Sequence, residues 1–343
     1  MLREFTSNIE KTPILESFLD YKFMAPGNAN SSIFSGSREI YTCGYYGTYK
    51  WNGTSWDALL NSPTQLTDIF SGSDGVYVGG NFNNTSGSYV SKWNGSSWTP
   101  LGTGVPNMAT SIYSGSNGVY IACGTNSVVG YVYLYNGTTS TKIGTFTDIV
   151  DCIFSGSDGV YAGGHFSSSA GIKISKWNGS SWIPLAGGLS NAIYGVFSGS
   201  DGVYVGGNFN NTSGSYVSKW NGSSWNAVGS GIGGTVYSIF SGSDGVYAGG
   251  NFNISSPVYV GTYITKWNGS NWIPLTTGSN NIVISIFSGS DGVYYADNSV
   301  CSKIFMNQKI TSYYYNYNTN LINTLQSSQI YKLSNSPYRT SVG

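Results

Sequence analysis

Short runs rich in Val, Ile, Tyr, Phe and Trp recur along the chain, each bounded by polar Gly-rich turns. In one unit a run ending in Phe70-Ser-Gly-Ser meets Asp74-Gly75, then Val76-Tyr-Val-Gly-Gly-Asn-Phe82 and a polar loop. Tyr89-Val-Ser-Lys-Trp93, Asn94-Gly95 and Trp98-Thr-Pro-Leu101 complete it. Such runs separated by turn residues read as four β-strands. Asp-Gly and Asn-Gly between them favour type I′ hairpins, whose two central residues need positive φ.

The unit repeats. Its Phe-Ser-Gly-Ser element recurs at Phe34, Phe70, Tyr113, Phe154, Phe197, Phe240 and Phe287, at spacings of 36, 43, 41, 43, 43 and 47 residues. Phe70 to Trp98 and Phe197 to Trp225 are identical letter for letter, the mark of a recent duplication. A four-stranded sheet of about 40 residues cannot cover both its faces alone, so the copies must stack around an axis. The predicted fold is all-β: a seven-bladed β-propeller of four-stranded antiparallel blades over residues 31–312. An N-terminal extension (1–30) and a Tyr/Asn-rich C-terminal tail (313–343) flank it. Thr12 as N-cap, Pro13 and apolar Ile14, Leu15, Phe18 and Leu19 predict a short helix over 13–23.

Seven copies converging on an axis call for a thin innermost strand, which the Ser-Gly-Ser elements supply, with bulk farther out. All ten tryptophans occupy two repeat positions: Trp51, Trp93, Trp177, Trp220 and Trp267 end the third strand, and Trp56, Trp98, Trp182, Trp225 and Trp272 open the fourth. That regularity assigns them to packing.

A Gly-Gly ending strand two, an aromatic ending strand three and a Trp opening strand four resemble kelch and galactose-oxidase-type propellers. The wording KWNGSSW and VYVGGNF is closer still to repeats of bacterial and fungal surface proteins. The resemblance implies a propeller that serves as an interaction or surface module. Trp93 and Trp98 are closer together than in typical kelch repeats, so binding residues do not carry over. The copper chemistry of galactose oxidase needs two histidine ligands and the chain has one, His165.

Charges vary together along the repeats. Asp74, Asp158, Asp201, Asp244 and Asp291 in the first turn accompany Lys92, Lys176, Lys219, Lys266 and Lys303 in strand three, and blade one offers Glu39 and Lys50. Blade three has Asn117 and Leu134 instead. Strand three returns toward the turn, so intra-blade ion pairs are expected. One Asp per blade is far short of the oxygens a Ca²⁺ site needs.

On the opposite face, the offset from the Val-Tyr tyrosine to the end of strand three is 16 residues in blades two, four and five, 15 in three, 20 in six and 10 in one and seven. Neighbouring short loops of blades one and seven would create a notch, a candidate partner site. Tyr45, Tyr46 and Asn298 would form its floor, and Asn83, Asn84, Tyr259 and Tyr263 its walls.

Composition narrows the function. Fifteen basic and fifteen acidic residues cancel, which disfavours nucleic acid and anionic membrane surfaces. One histidine disfavours multi-imidazole metal sites, and Cys43, Cys123, Cys152 and Cys301 lack CxxC spacing and read as free packed thiols. No catalytic residues, metal or cofactor are expected, nor is a signal peptide or transmembrane segment visible, so any surface or particle association would follow a non-classical route. The expected function is a non-enzymatic scaffold for protein–protein interaction or structural assembly, on a surface or virion, through its tails or loop face. The alternative is a multivalent lectin using Asn and Tyr side chains repeated on several blades.

Overall fold

The computed structural model describes residues 20–23, 30–35, 39–59, 62–85, 87–125, 129–167, 173–185, 187–211, 214–230, 232–242, 245–252, 263–275, 281–289, 292–297 and 301–304. They form seven four-stranded antiparallel sheets and, among the described residues, no helix. Blade one comprises Asn30–Ser35, Ile40–Gly44, Gly47–Trp51 and Trp56–Ala58. Blade two comprises Leu66–Gly72, Gly75–Asn84, Gly87–Trp93 and Trp98–Pro100. The innermost strands of blades three to six are Ala109–Gly115, Val150–Gly156, Ile193–Gly199 and Thr235–Gly242.

Blade seven draws its outer strand from outside the repeats and corrects the expected helix. Val283–Gly289, Gly292–Asp297 and Cys301–Ile304 supply three strands, and the fourth is Asp20–Phe23 from the N-terminal extension, paired Asp20↔Ile304 through Phe23↔Cys301. The predicted helix over 13–23 therefore gives way to strand at its end, while 13–19 lie outside the described residues. Helix signals are local, whereas Cys301–Ile304 would otherwise present a row of unpaired backbone groups at a sheet edge. The N-terminal extension thus completes the last blade, and blade seven meets blade one where Phe287 packs on Phe34 and Ser285 accepts from the Ile33 amide.

The turns also differ from the type I′ expectation. In blades two to five the first hairpin is centred one residue earlier, with Gly72 paired to Gly75 and Ser73-Asp74 between them. Asp74 does not take positive φ; Gly75 does, at +151°, and a Cβ there would come within 2.6 Å of the Trp93 carbonyl. The second hairpin is a four-residue loop in which the Asn side chain acts as a cap. Asn94 Oδ1 accepts from the Ser96 and Ser97 amides at 3.0 Å, and Gly95 alone takes positive φ. Asn competes for backbone donors, so one Asn and one Gly shape the loop together.

Between blades, Tyr, Val and Ile from strands one and two form a separate apolar core at each interface. Three of the five fourth-strand tryptophans fasten these interfaces by hydrogen bonds, whereas the indole N–H groups of Trp56 and Trp98 are buried without one among the described residues. The indole N–H groups of Trp182, Trp225 and Trp272 donate to the carbonyls of Ile143, Leu185 and Val228 of the preceding blade at 3.0, 3.0 and 2.7 Å.

Candidate functional site at the mouth of the axial channel

The innermost strands are not thin throughout. Phe34, Phe70, Tyr113, Phe154, Phe197, Phe240 and Phe287 form a closed ring around the axis, with neighbouring centroids 4.3–4.9 Å apart. Their planes differ by 44–60°, near the one-seventh turn of about 51° that separates blades, so the rings stand like turbine vanes, each against the next. Seven centroids so spaced lie on a circle of roughly 5 Å radius, which leaves their inner edges to narrow the channel. The expectation of bulk only farther out is corrected: thinness is needed one step on, where a Cβ on Gly115 would run into Ser155 of the next blade.

Above the vanes lies a cavity of about 220 Å³, lined by the same four positions of every blade, from Ser31–Phe34 in blade one to Ile284–Phe287 in blade seven. Innermost strands run from the loop face toward the first hairpin, so the cavity opens on the loop face and the aromatic ring is its floor. Every innermost strand carries a register shift against strand two, and the residue skipped is the first of the four: Ser31, Thr67, Thr110, Asp151, Tyr194, Tyr237 or Ile284. A bulge bends the strand and re-aims its extra side chain. Seven bulges therefore make the rim of the cup.

The bulges leave amide groups that the next position satisfies. Asp68 Oδ2 accepts from the Ile112 amide of blade three at 2.9 Å and from Ser111 Oγ at 3.0 Å; its Oδ1 accepts from Ser32 Oγ of blade one at 2.8 Å and from the Ile69 amide at 2.9 Å. Ser111, Ser238 and Ser285 cap the amides of Ile153, Ile286 and Ile33 in the same way. Burial pushes the Asp68 carboxyl above the usual carboxylate range, partly offset by these donors.

One sector of the rim is chemically distinct. His165 Nδ1 lies 2.7 Å from Asp151 Oδ2, its ring stands edge-on to Tyr194 at 5.5 Å, and Tyr194 lies 5.4 Å from Tyr237. Lys173 Nζ donates to the His165 carbonyl and to Ser167 Oγ, bracing this corner. Burial raises the Asp151 carboxyl, and the His165 charge and hydrogen bond oppose the rise. Asp68 and Asp151 are carboxylates in the wall, no Lys or Arg lines it among the described residues, and His165 meets it through Asp151 and Tyr194. Sequence reasoning missed this cluster. His165 replaces the Asn found at Asn81 and Asn208, but its backbone partner is Ile149, and the bulge that turns Asp151 toward it has no signature in composition.

The sequence-derived candidates fall elsewhere. Tyr45 and Tyr46 form the tight turn of blade one, 53% and 61% exposed, with rings edge-on at 5.1 Å. Asn83 and Asn84 are exposed in the hairpin of blade two, where Asn83 accepts from Ser88 Oγ at 3.0 Å. Tyr263 packs against the core that includes Tyr247, Ile264 and Leu275. Tyr259 and Asn298 lie outside the described residues.

On the hairpin face, Lys92 Nζ lies 2.8 Å from Asp74, Lys176 3.2 Å from Asp158 and Lys219 2.8 Å from Asp201, and Lys50 pairs with Glu39. Asp244 lies outside the described residues; Lys266 stands 5.4 Å above the Tyr247 ring. Each pair is completed by the Val-Tyr tyrosine. Tyr77 donates to Asp74 at 2.6 Å and Tyr204 to Asp201 at 2.6 Å, Tyr161 donates to Asp158, and the lysines sit 5.1–5.3 Å above the same rings. Burial alone would raise Asp74, Asp158 and Asp201, but hydrogen bonds from Lys and Tyr and the Lys charge hold them below the ordinary range. All four cysteines are buried, and burial pushes the Cys152 thiol well above its ordinary range.

Neither a protein-family model nor a curated protein matches the sequence. Solved structures do resemble the fold. A catalytically inactive virginiamycin B lyase from Staphylococcus aureus, solved with quinupristin, is similar with a TM-score of 0.62 at 12% identity, over 85% of this chain and 100% of that one. YCF48 bound to D1 peptide is similar at 0.57 and 13% identity, over 84% and 97% of the two chains. The computationally designed Ika8 protein is similar at 0.57 and 13%, over 83% and 98%. At such identity the likeness speaks to architecture, and with the strand order above it establishes that the chain is a seven-bladed β-propeller of four-stranded antiparallel blades.

Proposed function

We propose that this propeller is a non-enzymatic recognition scaffold for a partner protein, displayed on a surface or particle, and that the partner enters the cup on the loop face. The observation that carries the reading is where the repeats stop being alike. Blades two and five are identical from the vane to the fourth-strand Trp, yet immediately above the vane Thr67-Asp68-Ile69 stands against Tyr194-Gly195-Val196. The floor is aromatic in all seven blades, whereas the bulged rim residues are Ser, Thr, Thr, Asp, Tyr, Tyr and Ile. The scaffold is uniform and the mouth is individual.

The mouth suits a polar side chain that joins the Asp151–His165 pair, because Tyr194 and Tyr237 supply aromatic surface beside that pair and no Lys or Arg lines the described wall. Among the similar structures, one propeller holds a peptide. The resemblance of the repeat wording to kelch-type and surface-protein propellers supports the same reading. A catalytic reading finds less support: the contacts described for His165 are a carboxylate, a tyrosine ring and the bracing Lys173, and the neighbouring Cys152 thiol is held protonated.

A photoreactive residue at position 237 should capture the native partner in the organism of origin, while one at position 96 on the hairpin face should not. Asp151→Asn should weaken the captured complex about tenfold, the scale of one charge-assisted contact. Equal capture from both faces would refute the assignment.

A further inference from the structure

Two further cavities, on the hairpin face, are one site repeated a blade apart. The first, of about 470 Å³, is formed by Asp158, Tyr161 and Lys176 of blade four against Trp220 and Asn221 of blade five. The second, of about 860 Å³, is formed by Asp201, Tyr204 and Lys219 of blade five against Trp267 and Asn268 of blade six. Repeat position for repeat position, the five residues correspond.

Each groove pairs its Asp with its own Lys, and Asp201, which also borders the first groove, is neutralised by Lys219 from the second. An ionic ligand has nothing to select it there. What each groove offers is a half-buried indole beside a fixed acceptor, Asp, and a fixed multiple donor, Lys, which Tyr holds in place from below. A pyranose has the complementary surface, with an apolar C–H face to lie on an aromatic ring and hydroxyls that each donate and accept. Because the ion pair and tyrosine are already ordered, little conformational entropy is lost on binding.

We infer that these inter-blade grooves are saccharide sites, each taking one neutral sugar residue, and that repetition gives the chain avidity for multivalent glycans. The inference is independent of the cup, which lies on the opposite face. Blade three is a built-in control, because Asn117 and Leu134 stand where Asp and Lys would face Trp177 of blade four.

The test is a neutral-glycan array probed with the full-length chain, followed by calorimetric titration with the methyl glycoside of the best-bound sugar. The expected result is more than one site per chain, and the loss of two sites in Lys176→Met/Lys219→Met, with a cooperative melting transition retained and lowered only modestly, as loss of two half-exposed ion pairs requires. Installing the missing pair through Asn117→Asp/Leu134→Lys should add a site. Absence of glycan binding, a single site, or a stoichiometry that neither double variant moves would overturn the inference; capture at position 237 reports separately on the cup.

Discussion

Asp68 shows how a single repeat departure becomes structural. Where other blades carry Ser, Cys or Gly, its carboxylate collects donors from blades one, two and three. Asp68→Ala should cost about 3 kcal/mol in chemical unfolding, because it leaves the Ile112 amide without its acceptor. The pH dependence has two signs. Asp74, Asp158 and Asp201 have folded pKa values below ordinary Asp, so they contribute stability that is present above the ordinary value and lost as pH falls through the folded one. These side chains are about half exposed, so each pair should show a coupling of no more than about 1 kcal/mol in a double-mutant cycle, reduced by salt. Asp68 is raised, so its contribution is full below the ordinary carboxylate range and lost as pH rises through the folded value. The deficit of Asp68→Asn against the parent chain should therefore be largest in acid and shrink toward neutrality, as measured by urea unfolding across that range. The joint loss of Asp and Lys from blade three makes the charge pattern readable in the sequence. The tyrosine hydroxyl in each pair is not, since charge co-variation says nothing about a neutral donor.

At the scale of strands and turns, legibility followed locality. Strand runs, blade count and the placement of both tryptophan sets could be read from periodicity, because each is decided within one repeat. The bulge, the turn register and the role of Asp20–Phe23 could not, because each is decided by a neighbour. The Ser73-Asp74 hairpin answers to the Trp93 carbonyl beside Gly75, and the N-terminal strand answers to an open edge some 280 residues away in sequence. The bulge matters most for the candidate site, since without it Asp151, Tyr194 and Tyr237 would read as ordinary strand residues. Truncating one vane tests the central packing: Phe197→Ala, at a partly buried position between Phe154 and Phe240, should cost about 2–3 kcal/mol, less than a fully buried aromatic, read from the shift in denaturation midpoint at constant m-value.

For the whole molecule, the two faces divide the work. Hairpins of nearly uniform sequence carry the repeated Asp, Tyr and Lys groups and the inter-blade grooves, and the loop face carries an individual cup over the aromatic vanes. Both arrangements depend on closure, because an open array would separate Phe287 from Phe34 and Ser285 from the Ile33 amide. Closure depends in turn on four residue pairs between Asp20–Phe23 and Cys301–Ile304, worth about 4 kcal/mol at about 1 kcal/mol per hydrogen bond. Hydrogen–deuterium exchange of the 301–304 segment, in the full chain and after deletion of residues 1–23, tests that closure most directly. The ring described here requires protection in the full chain comparable to that of inner strands such as Val76–Val78, and its loss on deletion. Rapid exchange of 301–304 in the full chain, or protection indifferent to the deletion, would contradict it.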